Sequence, residues 1–246
     1  MLFENIKNIQ VKDTLSWKDK IFVTFDMDWC SDDVLSYTLD IIEKYDLKAT
    51  FFVTHQTTLL ERMKDNPNIE LGIHPNFNFL LNGDFRQGKN IDEIIKFYKN
   101  IIEKVGWGGY NVVSVRSHSI TQNSLILDSF DKNGLIYDCN TFIPFSSGIK
   151  CRPYRHFTDK LIKIPYFWED DVHCLYNWEW NVDKFINYDG LKVFDFHPIH
   201  VYLNTENLAR YEQSREFHKS KSQLLNHRYS GYGVNNLLID LIEANI

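Results

Sequence analysis

Residues 21–25, Ile-Phe-Val-Thr-Phe, are β-branched or aromatic and nearly all apolar. That composition fits a strand buried on both faces, and such strands occur in parallel sheets covered by helices. The run passes straight into Asp26-Met27-Asp28, so two carboxylates sit at its carboxyl end. In an extended segment, side chains two residues apart leave on the same face, and both acids can reach one site. Like charges that close need something positive beside them. A metal on one and an arginine on the other would supply it; an Asp-rich turn capping the next helix is the structural alternative.

The rest of the chain repeats this strand–helix alternation, which implies parallel pairing with right-handed crossovers. Ser31-Asp32-Asp33 caps a helix whose apolar positions Val34, Leu35, Leu39, Ile42 and Tyr45 recur at helical spacing. Further strands are expected at 48–54, 69–73, 111–115, 135–137, 161–164 and 191–196. Helices are expected at 57–64, 91–105, 122–132 and 234–243, and Asn133-Gly134 ends the third of these. Residues 1–20 read as an irregular lead into the first strand. Residues 75–90 fit no regular element, and loops this long are usually binding loops or lids.

Across 246 residues no compositional break marks a linker, so a single domain is expected over 1–246, with a motif-bearing core at 20–200 and a C-terminal helical part at 204–246. The net charge of −6, with no basic run, argues against a nucleic-acid surface. No apolar stretch reaches membrane-spanning length and the first residues lack signal-peptide features, so no membrane insertion and a cytoplasmic location are expected. Cys30, Cys139, Cys151 and Cys174 show no paired spacing and are expected to be reduced thiols.

Five strand ends carry residues of acid, base, ligand or clamp chemistry: Asp26 with Asp28, His74, Arg116, Asp138 and His197. In parallel α/β folds the loops at the carboxyl ends converge on one site, so the set is more informative than any member. These residues carry a resemblance. Thr24-Phe25-Asp26-Met27-Asp28, His74-Pro75-Asn76-Phe77-Asn78, Arg116-Ser117-His118-Ser119 and Phe196-His197-Pro198-Ile199-His200 resemble, in order, motifs of the polysaccharide deacetylase superfamily, the family four carbohydrate esterases. Their form is similar to a branch associated with O-antigen and other surface-polysaccharide gene clusters.

The resemblance implies a distorted, incomplete (β/α) barrel and a set of roles: Asp26 the general base, Arg116 its clamp, His197 the general acid, Asp28 and His74 metal ligands. Asn78 stands where the family has a second histidine. A catalytic zinc normally has three protein ligands, so a third donor is needed; His118 is the preferred candidate and Asn78 the alternative. Zn2+ is the expected ion, with Ni2+, Co2+ and Mn2+ also compatible. Asp138 or Asp195 is expected to keep His197 protonated. The aromatic content of 15% gathers partly around Tyr166-Phe167-Trp168, where Tyr166 and Trp168 read either as walls of a saccharide cleft or as a small lid core. Glu169-Asp170-Asp171 could bind sugar hydroxyls, with Asp171 the candidate, or assist the metal, against a solvated acidic loop.

The expected activity is removal of an N-acyl group, N-acetyl first, from an amino sugar, free or carried on a nucleotide, during assembly of a surface polysaccharide. Two rivals stand beside it. A glycosidase needs carboxyls about 5–9.5 Å apart across its bond, and Asp26 and Asp28 are too close in sequence for that. A catalytically impaired saccharide-binding relative draws its weight from Asn78, since a neutral amide binds zinc more weakly than imidazole.

Overall fold

The computed structural model describes residues 2–105 and 111–245. Ten strands form one sheet: β1 (Leu2–Phe3), β2 (Lys20–Asp26), β3 (Ala49–Val53), β4 (Ile69–Ile73), β5 (Ser114–Val115), β6 (Tyr137–Asp138), β7 (Tyr154–Arg155), β8 (Ile162–Lys163), β9 (Trp168–Glu169) and β10 (Lys192–Phe196). Their order is β7-β8-β6-β5-β4-β3-β2-β10-β9, with β1 also paired to β2. Every pairing is parallel except β7 with β8. The two end strands do not meet, which makes an incomplete β/α barrel.

The helices are α1 (Asp32–Lys44), α2 (Leu59–Lys64), α3 (Asn78–Leu81), α4 (Ile91–Glu103), α5 (Ser124–Lys132), α6 (Asp170–Leu175), α7 (Val182–Ile186), α8 (Pro198–Leu203), α9 (Leu208–Ser214), α10 (Lys221–Leu225) and α11 (Val234–Glu243). The Asn90 side chain accepts from the Glu93 amide and Asn123 from Ile126, fixing the starts of α4 and α5. α1 buries Val34, Leu35, Leu39 and Ile42, four of the positions its sequence spacing selects.

Register sorts the sheet's two faces. Phe196, Phe25, Phe51 and Leu71 stand side by side on β10, β2, β3 and β4, and Phe25 stacks on Phe51 with ring centroids 4.7 Å apart. One residue out of phase runs a buried polar row, Asp195, Thr24, Thr50 and Glu70. Because side chains alternate, Asp26, His74 and His197 share the polar row's face, each two or four residues beyond a member of it. The same phase includes Ser114, whose hydroxyl donates to Glu70, and Arg116 beyond it. A strand period of two therefore delivers the motif residues to one concave side.

Several expectations need correcting. The first strand stops at Asp26, and Asp28 is not extended but has φ +34°. Residues 1–20 contain β1, paired with Lys20 and Ile21, and residues 75–90 contain the one-turn helix α3. Trp168 lines no cleft: it pairs in register with Phe194 on the apolar face, is fully buried, and donates through Nε1 to His173 Nδ1 at 3.0 Å. Asp138 is out of phase with Arg116, lying beside Val115, so its side chain leaves on the face away from His197 and pairs with Lys163. All four cysteines are free thiols.

Candidate metal and catalytic site

Three donor atoms meet at the carboxyl ends of β2, β4 and β5. Asp28 Oδ1 lies 3.2 Å from His74 Nε2 and 3.4 Å from His118 Nδ1, and the two ring nitrogens are 3.4 Å apart. A tetrahedral zinc with ligand bonds of about 2.0–2.1 Å separates its donors by roughly 3.3 Å. The triangle has that size, combines carboxylate with two imidazoles, and opens on a cavity. Asp28 Oδ1 is buried with no hydrogen-bond partner of its own, between the two imidazole nitrogens. Burial alone would raise the Asp28 carboxyl, but His118 and His74 outweigh it and hold it well below the ordinary range. These residues fit a divalent cation. Two further acid–histidine groups, Asp170 with His197 and His200, and Asp26 with Asp195 and His197, fit it less well, because strong internal partners already occupy their acids.

Asp28 reaches the triangle through its turn. Asp28 and Trp29 both have positive φ, +34° and +53°, and the Trp29 amide donates to Thr54 Oγ1 at 3.1 Å. His118 is placed by its neighbours. Its amide donates to the Pro75 carbonyl at 3.0 Å, and the Ser117 amide donates to Asn140 Oδ1 at 2.7 Å. Asn140 in turn donates to Asp138 Oδ1 at 2.7 Å. Asp138 thus supports the loop bearing His118 and not His197. Asn78 does not line the cavity around the triangle. Its side chain is bound to Ser119 at 3.4 Å and Thr121 at 3.3 Å, strapping the His118 loop.

Asp26 stands on the other side of His74, with Oδ2 3.5 Å from Nδ1. Arg116 Nη1 donates to Asp26 Oδ1 at 3.1 Å, to Thr24 Oγ1 at 2.9 Å and to Asp195 Oδ1. The guanidinium is clamped between the Phe52 and Tyr166 rings, 4.6 Å from each centroid. Asp195 thus faces Arg116 where a His197 contact was also allowed. Burial, with repulsion from Asp26, pushes its carboxyl well up against the pull of Arg116, and Asp195 Oδ2 has no partner.

The partner of His197 is Asp170, which the sequence reading passed over as part of an acidic loop. Asp170 is fully buried at the start of α6; its Oδ1 accepts from His197 Nδ1 and its Oδ2 from the His197 amide, both at 2.7 Å. Burial would lower the imidazole's pKa, but Asp170 outweighs it and raises it well above the ordinary value. The free Nε2 faces Asp28 Oδ2 at 3.7 Å.

Two cavities meet here and share Asp28, Asp171 and His197. One, about 320 Å³, is lined by Asp26, His74, His118, Phe142, Tyr166 and Glu169. In it Tyr166 is nearly buried, its ring covering Arg116 and its hydroxyl donating to Glu169 at 3.1 Å. Burial first, then repulsion from Asp171, pushes Glu169 up to about 10. Asp171 Oδ1 is buried without a partner. The other cavity, about 580 Å³, lies against α8 and α9 and contains Trp29, which had no reading in the sequence beyond following Asp28.

A family model described as WbmS-like, polysaccharide deacetylase, matches residues 23–215. A crystal structure from Bordetella bronchiseptica, described as a polysaccharide deacetylase involved in O-antigen biosynthesis (WbmS), is 44% identical, with a TM-score of 0.87 over 99% of this chain and 98% of that one. A polysaccharide deacetylase structure from Mycobacterium smegmatis shares the fold at 17% identity, with a TM-score of 0.51 over 90% and 93% of the two chains. No curated protein matches the sequence. With the model spanning all four motifs and a full-length relative at this identity, the chain belongs to the WbmS-like polysaccharide deacetylase family.

Proposed function

We propose that the protein is a metal-dependent hydrolase that removes an N-acyl group, N-acetyl first among them, from an amino sugar in the assembly of a surface polysaccharide such as O-antigen. The observation that carries this reading is the Asp28–His74–His118 triangle, flanked on one side by Asp26 and on the other by His197. The 44% identical relative supplies the O-antigen context. No helix among the described residues is long and apolar enough to cross a membrane. A nucleotide-linked amino sugar would place the reaction in the cytoplasm.

A neutral amide resists hydrolysis, so water must be activated, charge on the carbonyl oxygen stabilised, and the departing nitrogen protonated. A divalent cation held by Asp28, His74 and His118, Zn2+ or else Ni2+, Co2+ or Mn2+, would supply the Lewis acidity for the first two. Asp26 accepts the proton of the attacking water, held in place by its charge-assisted hydrogen bond from Arg116. His197 carries the proton for the nitrogen at Nε2, because Asp170 holds Nδ1 and favours the imidazolium. Asp171, with an unpaired buried oxygen, binds a sugar hydroxyl. Tyr166 lines the same wall and covers the arginine.

The saccharide-binding alternative rested on Asn78, and His118 standing within donor distance of Asp28 and His74 supports the active reading instead. The test is acetate release from free and nucleotide-linked N-acetylamino sugars, with zinc supplied and with chelator. Release that depends on metal is expected. Binding of the sugars by the zinc-loaded protein without any release would favour the inactive relative.

A further inference from the structure

Beside the reaction centre lies a third cavity, about 350 Å³, which the deacylation steps above do not use. Its walls are Phe142, Pro144, Ser146, Val172, Tyr176 and Trp178. None of these is charged, whereas acids and histidines line both other cavities. The lining side chains offer two hydroxyls and one indole N–H, too little to replace the water around a sugar, but an aliphatic chain needs no hydrogen bonds. Exposed apolar surface of this kind marks a contact site, and Tyr176 is 65% exposed.

The aromatic walls are held in place by the turn that ends α6. The Tyr176 amide donates to the Val172 carbonyl and the Trp178 amide to the His173 carbonyl, both at 3.1 Å. Asn177 between them has φ +49°, which asparagine adopts more readily than most residues, and the Tyr176 and Trp178 rings lie 20° from parallel with centroids 6.1 Å apart. Phe145 meets Trp178 edge-on at 4.7 Å.

This cavity joins the reaction centre through Phe142 and Val172, which line both. The 580 Å³ cavity meets the centre at Asp28, Asp171 and His197 instead, and shares no residue with the apolar one. The two therefore open from different walls of the centre. In amide hydrolysis the water oxygen bonds to the carbonyl carbon, the C–N bond breaks and the nitrogen takes a proton, giving a carboxylate and an amine. Attack beside Asp26 and departure at His197 occupy two sides of that carbon. The amine component then lies on the His197 wall, and the acyl chain takes the remaining side, toward Phe142 and Val172.

We propose that the apolar cavity holds the carbon chain of an N-acyl group longer than acetyl, about the size of butyryl. An acetyl methyl reaches only its entrance. This rests on the deacylation reading and extends it from the bond that is cleaved to the group that is released.

The test uses zinc-loaded protein, with zinc content measured for each variant, and compares N-acetyl-, N-propionyl- and N-butyrylglucosamine. With each buried methylene contributing about threefold to fourfold, kcat/KM for butyryl is expected to exceed that for acetyl by roughly 10-fold to 15-fold. The ratio is read within each variant, so a general loss of activity cancels. Tyr176→Ala, at an exposed position, should lower the ratio to about threefold by removing one wall. Val172→Phe narrows the passage and should bring it to one or below. A wild-type ratio of one or less overturns the acyl pocket, as does a ratio that Val172→Phe leaves unchanged. If no amide is cleaved, the deacylation reading fails. The ratio of calorimetric affinities for the butyryl and acetyl sugars then decides the pocket by the same criterion, and absence of binding counts against it.

Discussion

Arg116 has one positive charge and two buried carboxyls to serve, and the way that charge is shared decides which acid can act as a base. Asp195 leaves one oxygen unpartnered and is pushed toward its neutral form, while Asp26 takes its own bond from Arg116 Nη1 and stands beside His74. In the proposed mechanism Asp28 holds the metal and has a separate task. Asp26→Asn should keep zinc and lose turnover by about 100-fold or more, whereas Asp28→Ala should lose both together. Equal zinc loss in the two variants, read by metal analysis, would mean the roles are wrongly divided. The His197–Asp170 pair makes a different statement, about pH. An imidazole raised by folding contributes stability that is complete below its unfolded pKa of about 6.5 and fades as pH rises through its folded value. Asp170 is lowered, since His197 and His200 outweigh the opposing effect of burial; its contribution is complete above about 3.9 and is lost as pH falls. The pair is therefore most stabilising between those limits. Asp170→Asn removes the buried anion, so the alkaline limb of kcat/KM should move to lower pH while zinc binding stays. An unmoved alkaline limb would separate His197 from the titrating acid. Asp170 itself was hidden in the sequence because Glu169-Asp170-Asp171 looks like a solvated loop, and only its burial beside His197 sets it apart.

At the scale of elements, β4 shows how tightly the strand period and the site are tied. Gly72 lies between Glu70 and His74 on the polar face, in register with Phe52. A Cβ there would come within 2.7 Å of the Phe52 ring and 2.8 Å of the Ser114 carbonyl oxygen. That ring is one of the two plates on the Arg116 guanidinium. Gly72→Ala should therefore cost about 1–3 kcal/mol, as overpacking does, and lower turnover by displacing Arg116. For a chain of this length that is roughly 2–4 °C in Tm per kcal/mol. An unchanged melting curve with full activity would show that Phe52 yields freely. Elements with a long period were legible: α1, α4 and α11 fall where apolar spacing puts them, and α11 has the expected bounds Val234–Glu243. The two-residue strands β1, β7 and β9 are too short to carry any alternation. α8 was missed for another reason: Pro198, Ile199, His200, Val201, Tyr202 and Leu203 are all buried, so it has no amphipathic stripe. Trp168 was misjudged because the aromatic run 166–168 gives no sign of which ring faces the apolar row.

Over the whole molecule, the candidate site joins segments that are far apart in the chain. Asp28 follows β2, His74 follows β4 and His118 follows β5, and β3 lies between the first two strands in the sheet. Strand–helix alternation made that convergence legible, because parallel strands must present their carboxyl ends together. The position of α8 and α9 over the larger cavity was not, since it depends on tertiary packing of short helices. A cation held by three separate loops binds the folded chain far better than the unfolded one, where those loops are dispersed. Linkage then gives about 2.7 kcal/mol of stabilisation when free zinc is 100 times Kd. At roughly 2–4 °C per kcal/mol this is a rise of about 5–11 °C in Tm. His118→Ala should lose most of that rise by weakening the site. Asn78→Ala, which loosens only the strap on the His118 loop, should lose about half of it, through a fall in zinc affinity of about 10-fold. Calorimetric scans at matched free zinc distinguish the two. A zinc-dependent rise that survives in His118→Ala and vanishes in Asn78→Ala would move the third ligand to Asn78, while a wild-type Tm that ignores zinc would remove the metal from this site.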